Sequence, residues 1–362
     1  MSHSESGLKK PTLPPLDHPR PPVLRDRCRA LVCETFGSFD SLCRAVIEIP
    51  SPGPGEVAIR VSRAGVSFAH ALVVAGKYQR RPPLPFVPGT ECTGVIEAVG
   101  EGVEGLWVGQ RVCAVLDWGG YAEVALARVE GVFPLPDALA DLENAVALPI
   151  SYGTSHGALR WRGQLERGQT LLVLGAAGGV GLAACEIGRA LGAKVLAVVS
   201  GSAKKAALAD RGFDGVIDVT TATLGDAVAE LTAGEGVDLV FDPVGGASFD
   251  QALRCLCDGG RLLTIGYAAG EIPSVGANIL LLKNIGVLGF NWGEYVGWGK
   301  TDKRRRYAAK VQATLSQLMA WWERGLISPT VSASFPLDDF ALAMEAVQSR
   351  RSIGRVALIP AA

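Results

Sequence analysis

The stretch LLVLGAAGGVGLAACEIGRAL, residues 171–191, decides the fold of this 362-residue chain. An apolar run of strand length meets glycines at 175, 178, 179 and 181, and an alanine-rich run of helix formers follows over Leu182–Leu191. Glycine suits such a turn because the backbone must bend sharply, approach a pyrophosphate closely and let the next helix lie against the sheet. Free N–H groups and the positive dipole end of that helix favour an anion. The pattern reads as a dinucleotide cradle; for the glycines taken alone, a tight structural turn is the alternative.

The flanking sequence repeats the alternation. KVLAVVS (194–200), GVIDV (215–219), DLVFD (238–242), RLLTIG (261–266) and NIGVLGF (284–290) read as strands after LLVLG (171–175). Lys204–Asp210, Leu224–Leu231 and Phe249–Cys257 read as helices between them. Apolar strands alternating with helices specify a parallel, doubly wound α/β sheet, because each crossover carries a helix that covers one face.

The end of the second strand bears on the ligand. An NAD site carries Asp or Glu about 20 residues beyond the glycines, where it accepts hydrogen bonds from the ribose. Ser200 stands there instead, no carboxylate occurs between Glu186 and Asp210, and Lys204 and Lys205 follow in SGSAKKAAL. A small hydroxyl followed by cations suits a 2′-phosphate, which a carboxylate would repel. For the lysines alone, a solvated first helical turn is the alternative. The combination reads as NADPH.

At 48% hydrophobic residues the chain can bury a large core, and its length suggests two domains. A net charge of −1 with dispersed basic residues leaves no electrostatic footprint for nucleic acid or an anionic membrane. The longest apolar runs fall short of the roughly 18 residues of a membrane span. Residues 1–28 are polar and proline-rich and lack a secretory core, so they read as a mobile extension and the address as cytoplasmic. Eight cysteines without a CxxC pair read as buried, reduced thiols. Beyond the extension the histidines are His70 and His156.

Upstream of the glycine turn, EVAIRVSRAG (56–65), TGVIEAVG (93–100), QRVCAVL (110–116) and GGYAEVAL (119–126) are short and broken by turn residues, as in a small β-rich domain. Here the chain resembles a known family. RAGVSFAHALVVAGKY (63–78), PPLPFVPGTECTGVIEAVGEGVEGLWVGQRV (82–112), ALPISYGTSHGAL (147–159), GAAGGVGLAA (175–184), FDPVGG (241–246), LLKNIGVLG (281–289) and GRVALIP (354–360) resemble, in order, the medium-chain dehydrogenases/reductases. The resemblance is to the zinc-free quinone oxidoreductase branch, the one that includes zeta-crystallin.

It implies a GroES-like catalytic domain made of residues 29–149 and 292–362, interrupted by a Rossmann NADPH-binding domain at 150–291. The reaction implied is hydride transfer from NADPH to a quinone or related activated alkene or carbonyl acceptor. Zinc-dependent relatives place Cys and His where this chain has Ser67 and Thr90 of GTE, and residues 93–112 lack the cysteines of a structural zinc loop. A Ser/Thr pair supplies neither thiolate nor imidazole, so no metal is expected.

By matching motif, Thr154 is expected to bond the nicotinamide amide, Gly178, Gly179 and Val180 to meet the pyrophosphate, and Ser200 and Lys205 the 2′-phosphate. Gly266, Tyr267, Phe290 and Asn291 are placed along the nicotinamide half, and Arg350 matches a late arginine of some relatives. Where quinone reductases often read VNFxD, this chain reads VSFAH, with Ser67 as a hydrogen-bond donor and His70 as either a proton relay or a satisfied structural side chain. Tyr78 matches a tyrosine near the cleft, with packing as its alternative. The resemblance also implies a homodimer paired through the edge strand NIGVLGF. Lys300, Lys303, Arg304, Arg305 and Arg306 crowd a helix start, where a CoA thioester would find phosphate partners or the cations are merely solvated. A 2-enoyl thioester reductase and a non-catalytic NADPH-binding protein therefore stand as alternatives.

Overall fold

The structure is a computed structural model and describes residues 26–49, 51–139 and 141–360. Most of the 1–28 extension lies outside the described residues. Six parallel strands form one sheet in the spatial order Gly215–Asp218, Lys194–Val199, Thr170–Val173, Val237–Asp242, Leu256–Thr264, Gly286–Gly289. In chain order this is 3-2-1-4-5-6, which reverses direction between the first and fourth strands. A crevice opens at that reversal, beyond the carboxyl ends of the strands.

Both faces are covered, which explains why the strands read as unbroken apolar runs. Leu171, Val173, Ala197, Phe241 and Leu263 face a core shared with the helices Gly179–Ala190 and Arg304–Glu323. Leu172, Leu196, Val198, Val240 and Leu262 face the opposite core with the helices Leu224–Leu231 and Ala247–Arg254. Truncating a fully buried leucine such as Leu171 to alanine would cost about 2–5 kcal/mol.

Around the second unit, strands Glu56–Val66, Glu91–Val99, Arg111–Val115 and Val132–Pro134 pair antiparallel in sequence, with Val124–Arg128 on the free half of the first. The C-terminal strand Arg355–Ile359 returns to pair with Val66, Gly65 and Ala64, and Val331–Pro336 lies beside it. Strands Arg27–Val32 and Cys43–Glu48 form a separate hairpin.

Two differences from the sequence reading have local causes. The helix read to Cys257 ends at Arg254, and the next strand already starts at Leu256. Gly259, at φ +73°, sits where the strand register shifts against its neighbour, so the short glycine pair hides a strand start inside an apparent turn. Between the two units, residues 148–162 form one helical passage with wide turns at both ends, in which Tyr152 N–H donates to Ala147 O and Gly163 N–H to Ala158 O. Such i→i+5 turns have no periodic signature in the sequence. The helix Ala277–Lys283 was not anticipated either.

Candidate functional site

The glycine turn is built as its spacing requires. Gly175 has φ +60°, and its carbonyl accepts from Gly178 N–H at 3.0 Å. A Cβ on Gly181 would stand 2.2 Å from Gly175 O, so only glycine lets the helix leave the turn at this angle. Gly178 caps the helix Gly179–Ala190 without a side-chain bond, and the amides of Gly179, Val180 and Gly181 have no acceptor among the described residues. Three aligned donors at a positive dipole end make an anion cradle.

The next shell comes from three segments far apart in sequence. Ser200 is exposed at the end of the second strand, and Gly201, at φ +106°, turns the chain into the helix Ser202–Ala209. Lys204 is half-buried; burial lowers its pKa, and the nearby Arg350 charge adds to that. Arg350, at φ +55°, reaches across the crevice and donates to Ala268 O at 2.8 Å. Neither cation forms a salt bridge with a carboxylate among the described residues. Lys205 is exposed on the same helix, and its charge is the least of the influences on Asp218. The buried Asp218 carboxylate is kept below its usual pKa chiefly by Gly201 N–H at 2.8 Å, then by the Thr220 amide and hydroxyl at 3.0 and 2.8 Å.

Thr154 lies buried in the helical passage, which Ser155 ties to the cradle helix by donating to Val180 O at 2.7 Å. Gly266 and the exposed Tyr267 follow the fifth strand. Phe290 and Asn291 follow the sixth, at the same end of the sheet. The Phe290 ring packs inward against Gly157 and Tyr295, and the Asn291 side chain accepts from Gly293 N–H at 3.0 Å. The Phe290 N–H donates to Thr264 O at 3.1 Å and Asn291 O accepts from Glu294 N–H at 3.2 Å, which fixes both residues at the end of the sheet.

Across the crevice, Ser67 begins the helix Phe68–Val74 with its hydroxyl unpaired among the described residues. Tyr78 packs partly buried against the core of the β-rich unit, and burial raises its pKa. His70 is buried; its Nδ1 lies 2.6 Å from the Tyr121 hydroxyl and its Nε2 2.9 Å from Thr90 Oγ1. Desolvation, with the Arg355 charge, lowers its pKa to about 3, so the ring is neutral in ordinary buffers. No group of three or more His, Cys, Asp or Glu that could hold a metal ion occurs among the described residues.

Arg355 and Glu91 escaped the sequence reading. They form a buried ion pair, and Gly65 has no Cβ because the Glu91 carboxylate fills that space. Burial lowers the Arg355 pKa to about 10. Its Cδ lies 3.4 Å from where a Gly179 Cβ would be, and Gly354 N–H donates to Ala177 O at 2.8 Å, so the last strand is docked on the cradle. A lone charge inside the apolar strand RVALI was the available signal.

Three of the five cations in the basic cluster have carboxylate partners. Arg304 pairs with Asp117 and Asp302 at 2.8 Å each, Arg305 with Glu130 at 3.2 Å, and Lys303 with Glu294. Arg80 joins Asp117 at 2.8 Å and stacks 4.6 Å over Trp118.

The alcohol dehydrogenase GroES-like domain model matches residues 53–137 and the zinc-binding dehydrogenase model residues 179–313. The quinone oxidoreductase-like protein 2 homolog of Nematostella vectensis is 35% identical over 340 residues, 93% of this chain and 90% of that protein. The human synaptic vesicle membrane protein VAT-1 homolog is 32% identical over 350 residues, 92% of this chain and 86% of that protein. The crystal structure of Escherichia coli quinone oxidoreductase complexed with NADPH is similar at a TM-score of 0.82 and 27% identity, over 92% of this chain and 99% of that one. With likeness along nearly its whole length and in both sheets, the chain belongs to the medium-chain dehydrogenase/reductase superfamily, in its quinone oxidoreductase branch.

Proposed function

We propose that this protein is an NADPH-dependent oxidoreductase that reduces a quinone or related activated carbonyl compound without zinc. The observation that carries the reading is the cradle. Three unpaired amides at Gly179, Val180 and Gly181 lie at the sheet reversal, with Lys204 and Arg350 held together near a Ser200 that replaces a carboxylate. Those residues fit a pyrophosphate and a 2′-phosphate. Bound there, the dinucleotide supplies a hydride.

The chain's own part is to position and desolvate. Thr154, Gly266, Tyr267, Phe290 and Asn291 hold the nicotinamide end, Lys205 adds charge beside Ser200, and Ser67 and Tyr78 face the acceptor. The hydroxyls of Ser67 and Thr90 suit hydrogen bonding and not zinc ligation. A quinone needs no Lewis acid, because hydride addition yields an aromatic, delocalised anion. We assign the catalytic domain to 29–149 and 292–362, the cofactor domain to 150–291, and a homodimer to the edge strand Gly286–Gly289. The address remains cytoplasmic in this reading; no helix among the described residues is long and apolar enough to cross a membrane. The enoyl thioester alternative keeps only Lys300 and Arg306 of its cluster, since Lys303, Arg304 and Arg305 are paired with carboxylates.

The test is NADPH oxidation by purified protein against a benzoquinone, an enone and an enoyl-CoA, with calorimetric affinity for NADPH and NADH. Turnover of benzoquinone and tighter binding of NADPH are expected. Equal affinity for both cofactors would sink the cofactor assignment, and NADPH binding without turnover would leave a non-catalytic protein.

A further inference from the structure

One buried group stands outside the cofactor reading. His70 is clamped between the Tyr121 hydroxyl at 2.6 Å and Thr90 Oγ1 at 2.9 Å. The other partner within reach of Tyr121 is Gly65 O, at 3.5 Å. A phenol carries one proton, and hydrogen bonds weaken steeply with distance, so that proton goes to Nδ1. Neutral imidazole has a single N–H, which is then on Nε2 and donates to Thr90 Oγ1. The Thr90 proton is left over. It has no acceptor among the described residues, and Thr90 is half-exposed while Gly89 and Glu91 on either side are buried. Thr90 adjoins Glu91, which pairs with Arg355, whose stem lies against Gly179, so the Thr90 backbone lies one residue from a contact that reaches the phosphate cradle. Arg355 is the charged group that bears on His70.

We propose that the chain Tyr121→His70→Thr90 is a one-way series of hydrogen bonds that presents the Thr90 hydroxyl proton to the carbonyl oxygen of the hydride acceptor. This rests on the oxidoreductase reading above. Thr90 touches the substrate, while His70 and Tyr121 position it. Bonds aligned donor to acceptor polarise one another and strengthen the last donor. The acceptor gains a hydride, two electrons with one proton, from the reduced nicotinamide. A quinone becomes a hydroquinone anion and an enone an enolate; Thr90 holds the resulting oxyanion until a solvent proton neutralises it. Fixed donors aimed at developing charge are the usual way to lower such a barrier.

The experiment has two arms. In the first, Thr90→Val and Thr90→Ser are assayed with NADPH against a benzoquinone and an α,β-unsaturated ketone. Thr90→Val should lose roughly 10- to 100-fold in kcat with KM and NADPH affinity within about threefold, and Thr90→Ser should recover most of it. A loss on both acceptors marks the shared carbonyl oxygen, and a loss on one identifies which acceptor reaches Thr90. Unchanged kcat in Thr90→Val on both overturns the proposal. In the second arm, 15N NMR of the His70 ring in the wild-type protein, without any acceptor, should show protonated Nε2 and bare Nδ1 around neutral pH. A proton on Nδ1 overturns the proposal even if Thr90→Val fails to fold. Turnover of neither acceptor by wild type would sink the oxidoreductase reading, whereas the tautomer measurement still decides the direction of the chain.

Discussion

Two groups of cations look alike in the sequence and differ in what surrounds them. Lys204 and Arg350 come together beside the cradle with no carboxylate partner among the described residues, and Arg350 spends its hydrogen bond on a neutral carbonyl. Lys303, Arg304 and Arg305 are more numerous and denser, yet each is matched by Glu294, Asp117 with Asp302, or Glu130. The repulsion at the first group is relieved by an incoming anion, while at the second a new anion would have to displace a carboxylate. A ligand site is marked by missing counter-charge, not by charge count.

The largest effect should come from a third case, where the counter-ion is buried. Arg355→Met leaves the fully buried Glu91 carboxylate alone and should lower unfolding free energy by about 3–5 kcal/mol in urea titrations. Adding Glu91→Gln should recover much of that loss. No recovery in the double variant would mean that Arg355 acts through packing alone.

Lys204→Glu comes next. It should weaken NADPH by about 2–3 kcal/mol, from lost attraction and added repulsion, while NADH changes little. An equal loss for both cofactors in calorimetry would erase the contrast between the two groups.

Within the paired group the effects should follow exposure. Arg304, with 12% of its side chain exposed, should cost about 1–2 kcal/mol of stability as Arg304→Gln, and Arg305, 88% exposed, no more than about 0.5 as Arg305→Gln. NADPH affinity should stay within about twofold in each, a threshold set by exposed charges away from the ligand. A marked affinity loss in either would break the comparison.

Asp218 gives the smallest effect and a pH test. Its folded pKa is depressed, so the stability it contributes is present above the ordinary carboxylate value and is lost as pH falls through the folded one. Melting temperatures of Asp218→Asn and wild type should therefore differ at pH 7 and converge in strong acid. A gap that widens in acid would show that the loop is not anchored by the carboxylate.

The parallel sheet and its glycine turn were legible because they rest on local rules. Apolar runs of strand length recur between helix formers, and Gly181 sits where a Cβ would strike Gly175 O. The wide helical turns around Thr154 were not legible, because one extra residue per turn leaves no period to read. Asp218 was missed for another reason. The second strand does end without an acid, but the third strand brings one beneath Gly201 through sheet pairing.

Residue order by itself determined the strand and helix alternation, the cradle and the hydroxyls at 67 and 90, since each depends on sterics and side-chain chemistry within a few residues. Only the tertiary structure decided that Arg350 meets Lys204, that Arg355 meets Glu91, that His70 is held between Tyr121 and Thr90, and that the 303–305 cations are neutralised. Those outcomes depend on which distant segments share a low-dielectric space, and charge interactions there are set by separation in space and not along the chain.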